Sequence, residues 1–147
     1  MVWRGMTLHQ LSVFMENKPG KMAQVLADLE DFKVFALSIA EAGEFGLIRL
    51  IVSEPEKVAK HLESRGLSLA KSKKNVEVTG VLITNEVKLS SIAEKLGEIG
   101  LNIDYAYSTS SFISGSLGLI LRTDDQKKTE ETLARSGARI LTNEDLR

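Results

Sequence analysis

Cysteine is absent from this 147-residue chain, which excludes disulfides, thiolate metal sites and cysteine nucleophiles. Histidine occurs only as His9 and His61. Neither belongs to a His-x-x-x-His metal spacing or a Ser-His-Asp arrangement, and no phosphate-cradling glycine loop accompanies them. Both read as solvated surface residues, and no catalytic residue, resident metal or cofactor is expected. An excess of one charge is also lacking. With 19 basic and 20 acidic residues and a formal net charge of -1, the chain has no broad attraction for nucleic acid or an anionic membrane. Aromatics are scarce at 5%. From Met1 to Leu8 no apolar stretch is long enough for a signal peptide or a membrane span, so a cytoplasmic location is expected. There are two prolines, Pro19 and Pro55, and each stands where a helical pattern begins.

What the chain does contain is one pattern written twice. Its 43% hydrophobic and 27% charged fractions are those of a soluble globular protein. Residues 8–72 and 76–142 each read strand, helix, strand, strand, helix, strand, which divides the chain into modules at 1–72 and 76–147. Leu11, Val13 and Met15 alternate with Ser12 and Phe14 at the period of a strand. After Pro19-Gly20, residues Met22, Val25, Leu26, Leu29 and Phe32 form one helical stripe. Phe35, Leu37 and Ile39 return to period 2, Gly43 and Gly46 mark a hairpin turn, and Leu47–Val52 predicts the third strand. Pro55 opens a helix with Val58 and Leu62 facing inward, and a short strand follows at Ser68–Lys71. The second copy starts at Val81-Leu82-Ile83 and continues with the stripe Leu89, Ile92, Ala93, Leu96, Ile99. Leu101–Ser108 and Leu117–Arg122 read as strands. A polar helix over 125–136, anchored by Leu133, leads to a last strand at Ala138–Leu141. The basic link Lys71–Asn75 reads as a solvated turn, because no aromatics interleave its lysines.

Two βαββαβ units predict an α+β fold of two ferredoxin-like modules in tandem, with antiparallel sheets and the helices on one face. Modules of about 70 residues have marginal cores and must pack on each other or on a second chain. Helices cover only one face of a sheet. On the other face Leu47 and Ile51, matched by Ile120 in the second half, need cover, which points to a homodimer built on the helix-free faces.

The segments Glu16–Met22 (Glu-Asn-Lys-Pro-Gly-Lys-Met), Phe45–Val52 and Gly100–Tyr105 (Gly-Leu-Asn-Ile-Asp-Tyr) resemble those of tandem ACT domain proteins, and the resemblance covers nearly the whole chain. It implies a regulatory protein that binds a free amino acid non-covalently where modules meet, between the first loop of one module and the second strand of its neighbour. Carried onto this sequence, the ligand-binding residues are Asn17, Lys18, Pro19, Gly20, Lys21 and Met22 with Asn102, Ile103 and Asp104. The chain departs from the family pattern at Thr84–Lys88, which lacks Pro-Gly, and at Val34-Phe35, which lacks the asparagine.

Both departures point to one site per chain. A zwitterion needs N–H donors for its carboxylate, which a helix start at Gly20, Lys21 and Met22 offers, and oxygen acceptors for its ammonium, which Asn102 and Asp104 offer. The reciprocal pairing would set Glu86 against Phe35, with no complementary polar group. Asn17 also reads as a helix cap, Arg49 as a partner across the sheet face, and Tyr105 and Tyr107 as core or interface residues.

Other functions of this topology fit less well. RNA-recognition domains expose aromatics on the sheet, whereas Leu11–Met15 and Leu47–Val52 offer only Phe14. Metal carriers need Cys-x-x-Cys, and an acylphosphatase-like enzyme needs an arginine in the first loop. A regulatory subunit of a separate amino-acid biosynthetic enzyme, comparable to the acetolactate synthase small subunit, stands as the alternative, with a catalytic enzyme as its partner.

Overall fold

The computed structural model describes residues 7–146, without the side chains of Ala42, Lys73 and Lys74. The expectation placed on Met1 to Leu8 therefore falls largely outside the described residues. Strand β1 (Leu8–Glu16) is followed by helix α1 (Lys21–Asp28), strands β2 (Val34–Ala42) and β3 (Phe45–Val52), helix α2 (Pro55–Ser64) and a short β4 (Ser68–Ala70). One turn of helix, α3 (Lys73–Val76), leads to the second copy. That copy comprises β5 (Glu77–Leu82), α4 (Leu89–Glu98), β6 (Ile103–Ser108), β7 (Gly118–Thr123), α5 (Gln126–Arg135) and β8 (Ile140–Leu141), closed by a 3-10 turn at Asn143–Leu146. The α+β fold of two tandem ferredoxin-like modules expected from the periodicity is the observed one.

Each module buries one sheet face under its own helices. In the first, Leu11 and Val13 of β1 and Ile48 and Leu50 of β3 pack on Val25, Leu29, Val58 and Leu62. In the second, Val81, Leu121 and Ile140 pack on Ile92, Leu96 and Leu133. Period-2 strands laid on period-3.6 stripes produce both cores. The α5 helix adds polar burial that its composition did not suggest. Gln126, Thr129 and Glu130 are buried, with Gln126 Nε2 donating to Thr79 Oγ1 at 2.6 Å and Thr79 Oγ1 donating to Glu130 Oε2 at 3.0 Å. Paired in this way, buried polar groups avoid the cost of lost solvation.

The other faces of the two sheets turn toward each other. All strands form one sheet in the order β2-β3-β1-β5-β7-β6, with β4 on β1 and β8 on β5. The two halves join where Leu8 pairs Val78 and His9 pairs Glu77. On the far side an isolated antiparallel bridge, Ala36 to Thr109, brings β2 against the end of β6, and Ser110 N–H donates to the Phe35 carbonyl at 2.7 Å. The strands thus run around a third core, in which Leu8, Phe35, Ile51, Val78, Ile120 and Leu141 are buried together. Gly80 belongs to this packing, since a Cβ there would lie 2.7 Å from Leu8 Cδ1.

This overturns the expected reason for a dimer. Ile51 and Ile120 have cover within the chain, and Leu47 is half-buried. The cause is the length of β1, which begins at Leu8 rather than Leu11. Its extra residues form the hinge pairing with β5 that lets the sheets close on each other. The link is also more than a solvated turn, for the Asn75 carbonyl accepts from Gln10 Nε2 at 3.1 Å and Ser12 Oγ at 2.9 Å. Among the described residues no helix is long and apolar enough to cross a membrane.

Candidate functional site

Polar side chains at the junction hold the two modules in register. Gln10 is fully buried; its Nε2 donates to Tyr105 Oη at 2.8 Å, and its Oε1 accepts from Tyr107 Oη at 2.5 Å. Arg49 lies over the Tyr105 ring, 3.7 Å from its centroid, a cation–π contact that crosses from β3 to β6. Burial, and secondarily the neighbouring Tyr105, push the Tyr107 phenol far above its ordinary range, so it remains a neutral donor. Arg49, Tyr105 and Tyr107 therefore tie module to module.

The first loop leaves β1 at the other end of the strand. Asn17 N–H donates to the Glu44 carbonyl at 3.0 Å and its Nδ2 to the Gly43 carbonyl at 3.4 Å. Asn17 thus clamps the loop to the β2–β3 hairpin and does not cap the helix. The cap position belongs to Gly20, left-handed at φ 84° with no side-chain bond to the helix start, a conformation that glycine adopts without strain. Of the three N–H groups expected to be free, that of Lys21 is engaged, donating to the Lys18 carbonyl at 3.2 Å. The turn through Pro19 is tight enough to close on itself, and this corrects the reading at Lys21. Those of Gly20 and Met22 have no acceptor among the described residues. Lys18 Nζ pairs with Glu16 at 2.8 Å. The hydrogen bond and charge of Lys18 hold the Glu16 carboxyl below its usual value. Met22 packs at the edge of the first core.

Asn102 precedes β6, and Ile103 begins it. Ile103 pairs Thr123 and packs into the second core, so its side chain turns away from solvent. Between Ile103 and Tyr105 the register shifts. This bulge carries Asp104 outward, the effect such bulges have on a side chain. Asn102 Nδ2 donates to Asp104 Oδ1 at 3.1 Å, and Asn102 N–H donates to Asp124 Oδ1 at 3.1 Å. Asp104 keeps its other oxygen for a further donor.

Among the described residues no hydrogen bond or ion pair joins 17–22 to 102–104. Topology nevertheless sends both to one end of the molecule. From the Ala36–Thr109 bridge, β2 runs forward to its hairpin, against which Asn17 is clamped, and β6 runs backward to Asp104. The Arg49–Tyr105 contact stands between the bridge and that end. Beside the first loop, Lys21 and Glu16 line a cavity of about 210 Å³ together with Phe14, Phe45 and Leu67.

The second loop differs. Thr84 Oγ1 accepts from the N–H groups of Glu86 at 3.2 Å and Val87 at 3.0 Å, and Thr84 N–H donates to the Val87 carbonyl. These bonds lie ahead of α4, whose cap is Lys88 in extended conformation.

The profile of the ACT domain pair matches residues 6–147. The chain belongs to the ACT domain family. It is similar to a protein of Bacteroides thetaiotaomicron at 30% identity, covering 96% of each chain with a TM-score of 0.80. The fold is shared with the regulatory subunit of aspartate kinase from Thermus thermophilus, at 14% identity, TM-score 0.59, and coverage of 90% of this chain and 91% of that one. It is shared also with the aspartokinase alpha and beta subunits, at 17% identity, TM-score 0.52, and coverage of 88% and 93%. No curated protein matches.

Sequence reasoning missed three features around this ACT pair. The closed junction depends on the extension of β1 to Leu8, and Gln10 within it carried no signal beyond a polar residue in an alternating strand. A second groove of about 660 Å³, lined by His9, Ser53, Glu54, Lys57 and Asn143, lies where β1 begins beside α2. His9 is half-buried there and His61 is half-buried, with its ring 5.2 Å from that of Phe32, so neither is the free surface histidine expected. Among the described residues no three potential metal ligands cluster.

Proposed function

We propose that this ACT pair, with modules at 1–72 and 76–147, is a non-catalytic cytoplasmic sensor that binds a free amino acid at its first loop. Its site comprises Asn17, Lys18, Pro19, Gly20, Lys21 and Met22 with the Asn102–Asp104 end of β6. The observation that carries the reading is the contrast between the two loops. One opens its helix on the left-handed Gly20, with open space where a side chain would stand and the N–H groups of Gly20 and Met22 without acceptors among the described residues. The other opens on the extended Lys88, the N–H groups just ahead of it being turned to Thr84. Unpaired donors ahead of a helix suit a carboxylate, and the outward oxygen of Asp104 suits an ammonium. Ile103, packed into the second core, serves through its backbone and not its side chain.

A ligand of about ten heavy atoms at roughly -0.5 to -0.8 kcal/mol per atom binds in the micromolar range. A thermal-shift screen of the twenty amino acids tests the reading, because a ligand selective for the folded state must stabilise it. A screen in which none raises the melting temperature ends it. The chain is also read as a homodimer, now through the outer edges of β2 and β6, which pair with no further strand beyond the Ala36–Thr109 bridge among the described residues. Open strand edges recruit other strands. Sedimentation at tens of micromolar as a monomer would remove the dimer.

A further inference from the structure

We infer that the amino acid taken at the first loop carries an apolar side chain, aromatic or long aliphatic, which packs on Phe14 and Phe45. This rests on the amino-acid reading of the loop and names the class of ligand it takes. Phe14 and Phe45 are 40% and 50% exposed. They are diagonal neighbours on one sheet face, because Phe14 pairs Leu47 and Glu16 pairs Phe45. That face is the one which, nearer the junction, packs on the other module. At this end it is uncovered, and the cavity of about 210 Å³ lies against it.

The size and the lining select the ligand. The space holds about seven waters and is smaller than the roughly 300–1,000 Å³ of sites for drug-sized molecules. It therefore suits a group the size of one amino acid. Its charged lining is one base and one acid, Lys21 and Glu16. Lys21 has no ion-pair partner among the described residues, and Glu16 already holds Lys18. Lys21, between Gly20 and Met22 in the chain, adds its charge to the carboxylate end, and Glu16 is spent on Lys18, which leaves no charge for an ionised side chain. The remaining wall is Phe14, Met15, Phe45, Gly66 and Leu67, with Ser68 the one uncharged polar side chain. A hydrocarbon side chain gains there by leaving water, whereas a carboxylate, ammonium or amide loses solvation without a partner.

The 147-residue chain is titrated calorimetrically with leucine, methionine, phenylalanine, alanine, serine, aspartate and lysine. Leucine, methionine or phenylalanine is expected to bind at least tenfold tighter than alanine, with aspartate and lysine weakest. Phe45→Ala and Phe14→Ala are each expected to weaken the preferred ligand about tenfold. Phe45→Leu, which keeps an apolar wall, is expected to retain most of the affinity. Melting curves without ligand verify that each variant is folded. If serine, aspartate or lysine binds best and Gly20→Val abolishes that binding, the loop is the site and the apolar class is wrong. Preference for apolar amino acids that survives both phenylalanine-to-alanine changes overturns the placement of the side chain. Absence of binding by every amino acid removes the reading of the loop and this inference together.

Discussion

The two modules share a bulge at the same step of the same strand and use it oppositely. In β2 the register shifts between Val34 and Ala36, and the residue set aside, Phe35, is buried in the core between the modules. In β6 the shift falls between Ile103 and Tyr105, and the residue set aside, Asp104, is exposed. The first loops diverge in the matching sense. The left-handed Gly20 opens α1, whereas the extended Lys88 opens α4 behind a loop whose N–H groups Thr84 accepts. On the proposed reading, one duplicated unit devotes its bulge to packing and its loop to recognition, and the other presents its bulge for recognition while its loop closes on itself. On that reading a duplicated module needs only one complete recognition surface, and the strand position freed in the first module, Phe35, packs between the halves.

The largest expected effect tests the loops. Gly20→Val forces a β-branched residue into the left-handed region, at about 1–2 kcal/mol of backbone strain or more. Nothing lies within 4 Å of the added Cβ, so the fold should survive with a melting temperature lower by several degrees. Binding of the preferred amino acid should fall at least 100-fold, because the new side chain stands in front of the donors. Glu86→Ala in the second loop should leave affinity within twofold. Calorimetry on both proteins decides, and a stronger effect at Glu86 would reverse the assignment of the two loops.

The next effect concerns the junction. Gln10→Leu removes the group that accepts from Tyr107 and donates to Tyr105, stranding buried hydroxyls at about 1–3 kcal/mol. The midpoint of urea unfolding should fall accordingly. If Gln10→Leu proved as stable as the parent, the polar contacts would not be what registers the modules.

The architecture within each module was legible because it depends on short-range periodicity. Leu11, Val13 and Met15 alternate, Val58 and Leu62 recur by four, and Pro55 marks a helix start. The first loop was legible for the same reason, since Pro19-Gly20 constrains its own backbone. The closure of the sheets was not, because it rests on Leu8 meeting Val78 and on Ala36 meeting Thr109, contacts between distant residues that leave no periodic trace. Ile51 and Ile120 read equally well as a dimer face or an internal one, for alternation reports that a face is buried and not against what. Lys21 N–H was misjudged because the Lys18–Lys21 turn is a detail of backbone geometry. The bulge at Asp104 was hidden likewise, as Asn102-Ile103-Asp104 alternates whether or not the strand slips.

A smaller effect tests the bulges. Asp104 is exposed and its fold contact is the bond from Asn102, so Asp104→Ala should leave the melting temperature within about 1 °C. Losing a charged acceptor for the ammonium should weaken binding about tenfold, worth about 1.4 kcal/mol. Calorimetry at low and moderate salt separates a direct contact, which persists, from long-range attraction, which salt screens. Affinity unchanged by Asp104→Ala would place the ammonium elsewhere and leave the bulge without a recognition role.

The smallest expected effect tests the second loop, proposed to be silent. Thr84→Ala deletes the acceptor for the Glu86 and Val87 N–H groups. These bonds are exposed, so water replaces the lost oxygen and the cost should be only about 0.5 kcal/mol. Freed donors alone should not create a second site. At the start of α4 the cap is Lys88 in extended conformation, not a left-handed glycine, and the strand residue matching Asp104 is the buried Phe35. Calorimetric stoichiometry for Thr84→Ala should therefore remain one ligand per chain. A rise to two would mean that Thr84 by itself blocks a site otherwise intact, and that the modules differ by one hydroxyl group and not by the loop and strand together.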